Sequence, residues 1–269
     1  GLSRSGDGLD LRDPAAVDAA MAGLSGPFDL VVIATGILAP PGASPEKSLR
    51  SIDQATMQDL LLVNAVGPAL ILSRLPALLP REGRSVVAVL TARVGSIGDN
   101  HLGGWYSYRA SKAAANQITR TAAIELQRKF KECRVVALHP GTVDTAFTAG
   151  YPNKDKHDPA TAAQNLLRVI DGLGPEDNGG FFDWRGEPGP WQPPGGEGGL
   201  ASGAEHTALT GEIFRRDLPR PVPAETAEVA RVHDRQRQVA EPVQALDHLL
   251  RHRVIEVVVE HPIIEGIAG

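Results

Sequence analysis

Strand-length apolar runs that alternate with longer helical patterns constrain this chain more than any other feature. Phe28 to Ile37 (FDLVVIATGI), Ser85 to Thr91 (SVVAVLT) and Arg134 to His139 (RVVALH) are β-rich, continuously apolar and bounded by turn residues. A strand that faced water on one side would alternate polar with apolar, so these runs read as strands buried on both faces of a parallel sheet. Helical patterns separate them. Asp13 and Pro14 open one, with a side-chain acceptor at the N-cap and proline at the first turn, and Ser25-Gly26 closes it. A second covers roughly Met57 to Leu79, and a third, rich in alanine and free of Gly and Pro, runs from Tyr106 to about Lys131. Asp158-Pro159 opens a fourth, and Gly179 to Trp184 has the composition of a final strand. The order predicts an α/β fold with a doubly wound parallel sheet.

The organised pattern stops near Trp191. Arg185 to Ala204 (RGEPGPWQPPGGEGGLASGA) is dominated by Gly, Pro and Glu and has too little apolar surface to bury, so it reads as a linker. The expected division is therefore a folded domain over 1–191 and a linker with an extension over 192–269. Within the extension, Ala224 to Arg251 has a polar helical pattern and Arg253 to Glu260 (RVIEVVVE) a strand composition.

Composition excludes some functions. The 27 Lys and Arg are interleaved with 32 Asp and Glu for a net charge of -5, leaving no basic stripe for a polyanion, so nucleic acid is not an expected partner. The longest apolar stretch, Leu60 to Pro80, carries Asn64, Ser73 and Arg74 and two internal prolines, which predicts a core helix and no membrane span. Cys133 is the single cysteine and has no Cys or His at metal-ligand spacing, so no metal site is expected and a reducing, cytoplasmic setting fits.

Chemistry concentrates in the third helix. In Tyr108-Arg109-Ala110-Ser111-Lys112 the i and i+4 positions put a phenol and an ammonium on one helical face, where a cation lowers a phenol's pKa by favouring phenolate. Upstream lies a strand ending in Thr91, then Val94-Gly95-Ser96-Ile97-Gly98. Downstream a strand ends in His139-Pro140-Gly141-Thr142-Val143-Asp144-Thr145. This order of strand, hydroxyl-bearing loop, Tyr/Lys helix, strand and Pro-Gly turn resembles the short-chain dehydrogenase/reductase family. The run Arg93 to Ala114 is most similar to its C-factor and sniffer carbonyl-reductase-like branch.

The resemblance implies a Rossmann-like sheet and assigns roles. Tyr108 would be the general acid, Lys112 would lower its pKa and hold the nicotinamide ribose, and Asn64 would hold a water of the proton relay. Pro140, Gly141, Thr142, Val143 and Thr145 match the segment that holds the cofactor carboxamide, and Gly36 the close-approach glycine after the preceding strand. Arg4 stands where an NADP-dependent member meets the 2′-phosphate, so NADP is expected over NAD. Asp10 matches an adenine-contacting aspartate but would cap the following turn equally well. Homodimers or homotetramers through the long helices are also implied, and the Ala113 to Ala123 face suits them.

Two departures from the family pattern stand out. Ala92 falls where the catalytic serine usually stands, whereas Ser96 lies twelve residues before Tyr108, close to the usual distance, so Ser96 is expected to carry that role with Thr91 as the alternative. A Gly-rich loop between a first strand and first helix is also not found, which predicts a sheet lacking its first strand and a weakened pyrophosphate site. The chain opens on Gly1, in keeping with loss or processing upstream. RVIEVVVE matches the vacancy in composition, but His261-Pro262 follows where glycines should begin, so the tail is expected to be an unrelated extension. The sequence reading is thus an NADP(H)-dependent oxidoreductase that interconverts a small-molecule carbonyl and its alcohol. A catalytically silent reductase-like fragment or a signalling protein of the C-factor type is the alternative.

Overall fold

A computed structural model describes residues 1–145, 148 and 156–190, together with the backbone of a strand at Val254–Val259. Two short helices open the chain, α1 (Arg4–Asp7) and α2 (Pro14–Ala22). As the sequence predicts, Asp13 caps α2: its Oδ1 accepts from the Ala15 N–H at 2.9 Å, and Pro14 takes the position where no N–H is needed. Strand β1 (Leu30–Thr35) follows, then α3 (Gln54–Leu61) and α4 (Gly67–Arg74), β2 (Ser85–Leu90), α5 (Tyr106–Gln127), β3 (Cys133–His139), α6 (Pro159–Gly172), β4 (Phe181–Asp183) and β5 (Val254–Val259).

All five strands are parallel, in the order β4-β3-β2-β1-β5. Every residue of β1 and β2 is buried, which explains their unbroken apolar character. On one face Val31, Ile33, Val87, Val89 and Val135 pack against Val17 and Met21 of α2, Ile71 and Leu72 of α4, and Ala123 and Leu126 of α5. On the other, Leu30, Val32, Val86, Ala88, Val136 and Leu138 pack against Ala162, Leu166, Leu167 and Ile170 of α6. The two layers of helices on one sheet are the expected doubly wound arrangement.

Two sequence expectations change. The single helix predicted over Met57 to Leu79 is α3 and α4 joined by a π-helical segment at Leu62–Val66 and continued by a 3-10 turn at Leu75–Ala77. Pro68 and Pro76 account for the interruptions: each lacks the N–H that an unbroken α-helix would use. The stretch Gln54–Ala77 is long and apolar enough to cross a membrane by length and composition, yet Leu60, Val63, Ile71, Leu72 and Leu75 are buried in the fold. The place beside β1, expected to stand vacant, is filled by β5, with Leu30 opposite Val254 and Thr35 opposite Val259. A run of β-branched residues satisfies the backbone edge of β1, and this part of the tail belongs to the sheet.

Residues 1–194 and 243–269 form one compact unit; 195–242 form a second, which lies outside the described residues. The polar helix expected over Ala224 to Arg251 falls outside them as well.

Candidate active site

The carboxyl ends of β1, β2 and β3 open into a cavity of about 350 Å³. Its walls come from the segment after β1 (Thr35, Gly36, Leu38), the segment after β2 (Thr91 to Val94), the face of α5 carrying Tyr108 and Lys112, and the turn after β3 (His139 to Val143). Crevices at strand carboxyl ends are where open α/β sheets bind ligands.

Tyr108 and Lys112 therefore do converge, one helical turn apart on α5, on a common cavity. Lys112 Nζ donates to the main-chain carbonyls of Leu90 at 3.1 Å and Thr35 at 3.4 Å, which anchors the ammonium across the ends of β2 and β1. Gly36 makes room for it: a Cβ there would stand 3.0 Å from Lys112 Nζ and 3.1 Å from Asn64 Oδ1. The expected tuning of the phenol differs from what the fold gives. Burial pushes the Tyr108 pKa up and the Lys112 pKa down to about 8, because desolvation penalises both charged forms. The ring of Trp105, set edge-on to Tyr108 with centroids 6.1 Å apart, is part of that dry surround.

Asn64 lies in the π-helical segment and is fully buried. Its Oδ1 accepts from the Ile37 N–H at 2.8 Å, and its Nδ2 donates to Ile37 O and to Ser111 Oγ, each at 2.9 Å. Ser111 Oγ in turn donates to Tyr108 O at 2.9 Å. The amide is thus a strut from the β1 segment to the helix that carries the tyrosine, a link through Ser111 that the sequence reading missed.

Pro140, Gly141, Thr142 and Val143 line the cavity as expected; Thr145 is buried close by, outside the lining. Gly141 adopts φ +80°, and a Cβ would come within 3.0 Å of both His157 and Trp184, whose rings pack edge to face behind the turn. The contact between the two rings depends on the path between β3 and β4, which no local sequence pattern fixes.

Other expected residues lie apart. Arg4 is exposed on α1, and Asp10 turns its Oδ1 onto the Arg12 N–H at 2.9 Å; neither lines the cavity. Ser96 is buried but outside the lining, its Oγ donating to Pro190 O and accepting from the Asp99 N–H at 3.2 Å. Thr91 and Ala92 hold the corresponding wall.

The polar atoms of the cavity bear on a nicotinamide cofactor. The side-chain oxygens of Thr35, Thr91 and Thr145 and Nδ1 of His139 are buried with no hydrogen-bond partner. Buried polar groups are ordinarily paired, so a cluster of unpaired ones beside an open cavity fits a polar ligand that pairs them. The donor set suits the amide and ribose end of such a cofactor. Among the described residues, no Gly-rich loop joins a strand directly to a helix to meet a pyrophosphate.

Comparison with known proteins agrees with this geometry. The family profile described as enoyl-(acyl carrier protein) reductase matches residues 8–176. The C-signal of Myxococcus xanthus is 35% identical over 62% of this chain and 95% of its own length. The 1-hydroxy-2-glutathionyl-2-methyl-3-butene dehydrogenase of Rhodococcus is 39% identical over 49% of this chain, an alignment spanning 57% of that protein. Among solved structures, an NADPH-bound carbonyl reductase from chicken fatty liver superposes with a TM-score of 0.60 at 26% identity, over 66% of this chain and 74% of that one. The carbonyl reductase Sniffer of D. melanogaster superposes with a TM-score of 0.59 at 27% identity, over 68% and 76%. The chain belongs to the short-chain dehydrogenase/reductase family and is an enzyme of that type. Within the family it is a carbonyl-reductase-like oxidoreductase, related in sequence to C-signal.

Proposed function

We propose that this protein is an NADP(H)-dependent oxidoreductase that interconverts a small-molecule carbonyl and its alcohol, with Tyr108 as general acid and base. The observation that carries this reading is the meeting of Tyr108, Lys112, Gly36 and the Pro140-Gly141 turn around one cavity at the strand ends. When bound, the reduced cofactor supplies a hydride to the carbonyl carbon. Tyr108 gives its proton to the carbonyl oxygen and regains one from solvent, which completes the alcohol. A phenol whose pKa burial has raised keeps its proton until the substrate oxygen gains charge, and it then needs a cation to stabilise the phenolate left behind. Lys112 is that cation, and its two carbonyl contacts fix it one turn from the phenol. Asn64 and Ser111 hold the helix against the β1 segment, while Gly141, Thr142, Val143 and Thr145 take the carboxamide end.

The preference for NADP rests on Arg4, with Asp10 toward the adenine, and is supported by the NADPH named in the chicken-liver structure. The lone buried thiol of Cys133 suits a reducing, cytoplasmic setting, and the long α5 helix suits pairing into a homodimer or homotetramer. The test is a fluorescence titration of the chain with NADPH, followed by steady-state reduction of benzaldehyde, acetophenone and cyclohexanone. Saturable binding is expected, together with turnover that Tyr108→Phe abolishes without changing the NADPH Kd more than about twofold. Retained turnover in that variant defeats the acid assignment.

A further inference from the structure

We propose that Trp105 sets the size of the carbonyl compound this site accepts, and that Arg109, which does not line the cavity, is the positioning residue that holds the indole in place. This rests on the carbonyl-reducing reading above and narrows its substrate to a carbonyl carried on no more than one ring.

A carbonyl whose oxygen reaches the Tyr108 hydroxyl brings its substituents against the side chains packed around that phenol. Those that also line the cavity are Leu38, Ala92, Val94 and Trp105. The first three are aliphatic, so the indole is the bulkiest part of that wall and its placement fixes the room that remains. The cavity of about 350 Å³ lies near the lower end of small-molecule pockets, which span about 300–1,000 Å³. The nicotinamide end of the cofactor takes a share of it.

The backbone that presents this ring is strained. Gly103, Gly104 and Trp105 are three consecutive residues in the left-handed region, at φ 64°, 65° and 54°. Glycine adopts that conformation freely, whereas a tryptophan there crowds its Cβ and keeps it only where the surroundings impose it. The preceding loop has little packing with which to impose it, since Ile97 and Leu102 are 76% and 93% exposed. Polar contacts do so instead. Arg109 Nε donates to Gly104 O at 3.0 Å and Nη2 to Gly103 O at 3.2 Å, while Nη1 donates to Val94 O at 3.3 Å. One guanidinium thus ties both glycines before the tryptophan to another residue of the same wall, and the Trp105 N–H donates to Glu46 O at 2.5 Å. Arginine suits this task because its planar fork aims several N–H groups at once, which an ammonium on a flexible stem does not.

The experiment compares benzaldehyde with biphenyl-4-carbaldehyde, which carries the same reacting group on two rings, by steady-state NADPH oxidation. Wild type should favour benzaldehyde by about 100-fold in kcat/KM, within the range a hydrophobic pocket can discriminate. Trp105→Gly removes the indole and leaves a residue that takes φ 54° without strain, so Tm should hold or rise. That variant should raise kcat/KM for the two-ring aldehyde about tenfold and lower it for benzaldehyde about tenfold, mostly through KM. Arg109→Ala and Arg109→Lys should both shift the preference the same way by about fivefold, because the lysine keeps the charge but loses the fork. An unchanged preference in Trp105→Gly overturns the size role. Arg109 variants that slow both aldehydes alike, with the preference intact, overturn the positioning role, and in either case the carbonyl-reducing reading stands. A wild-type chain that binds no NADPH and reduces neither these aldehydes nor the ketones of the earlier panel overturns both.

Discussion

The middle and the flank of the sheet are built in different ways. Strands β1, β2 and β3 come from consecutive strand-helix units, their side chains pack on both faces, and their ends bring Thr35, Thr91 and His139 to one cavity. The β1–β5 flank pairs Leu30 with Val254, so it is closed by a strand from the far end of the chain. Local connections make the catalytic half; a long-range pairing completes the sheet behind it. Closing so long a loop costs entropy that local units do not bear. The two regions should therefore respond differently to perturbation: damage in the middle should remove chemistry, and damage at the flank should lower stability first.

The largest effect should come from Lys112→Ala. Loss of the cation from a desolvated site should cut kcat/KM by about 10³-fold or more, measured by steady-state NADPH oxidation. Next, Val257→Pro, placed opposite Ile33 in the register, should lower Tm by several degrees in a thermal melt because the fixed proline ring interrupts the strand; Lys112→Ala, which empties a buried charged site, should not. If Val257→Pro leaves Tm unchanged, β5 does not hold the sheet and the contrast between middle and flank fails.

A pH series sharpens the same contrast. Lys112 ionises near 8 in the free protein, so the cation is present below that value and is lost above it; kcat/KM should fall on the alkaline side with an apparent pKa about 8. His139, depressed to about 4 from its ordinary 6.5, acts on stability: the unfolded chain binds the proton more readily, so Tm should fall as pH drops from 6.5 toward 4, and His139→Asn should flatten that slope. The smallest effect belongs to Arg4→Ala, expected to weaken NADPH a few-fold and leave NADH unchanged in parallel titrations. Equal weakening of the two removes Arg4 from the 2′-phosphate role.

Much of the middle could be read directly from residues. The continuous apolar runs give β1 to β3 because burial on both faces leaves a signature that half-buried strands lack, and the Asp-Pro pairs mark the starts of α2 and α6 because capping is local. Tyr108, Lys112 and the Pro140-Gly141 turn share a cavity because helical spacing and strand order suffice to bring them together. What depends on tertiary context escaped. Spacing from the tyrosine favoured Ser96, yet the chain returning at Pro190 takes that hydroxyl. The ammonium was expected to lower the phenol's pKa, but sequence says nothing of desolvation, which acts on both groups. The pairing of β5 with β1 likewise has no local signal, and a reading led by the residues after a strand, His261-Pro262, pointed away from it.

The start of α5 has one further consequence. Trp105, in the left-handed conformation at φ 54°, gives this helix no side-chain cap; instead the buried Glu46 accepts from both the Ser107 N–H and its hydroxyl, and Glu46 O accepts from the Trp105 N–H. The helix that carries Tyr108 is thus capped at its start by a carboxylate borrowed from a loop some sixty positions upstream. Sequence drift in that loop can shift the tyrosine without altering any residue of the cavity wall, which gives relatives with identical pockets a way to diverge in rate.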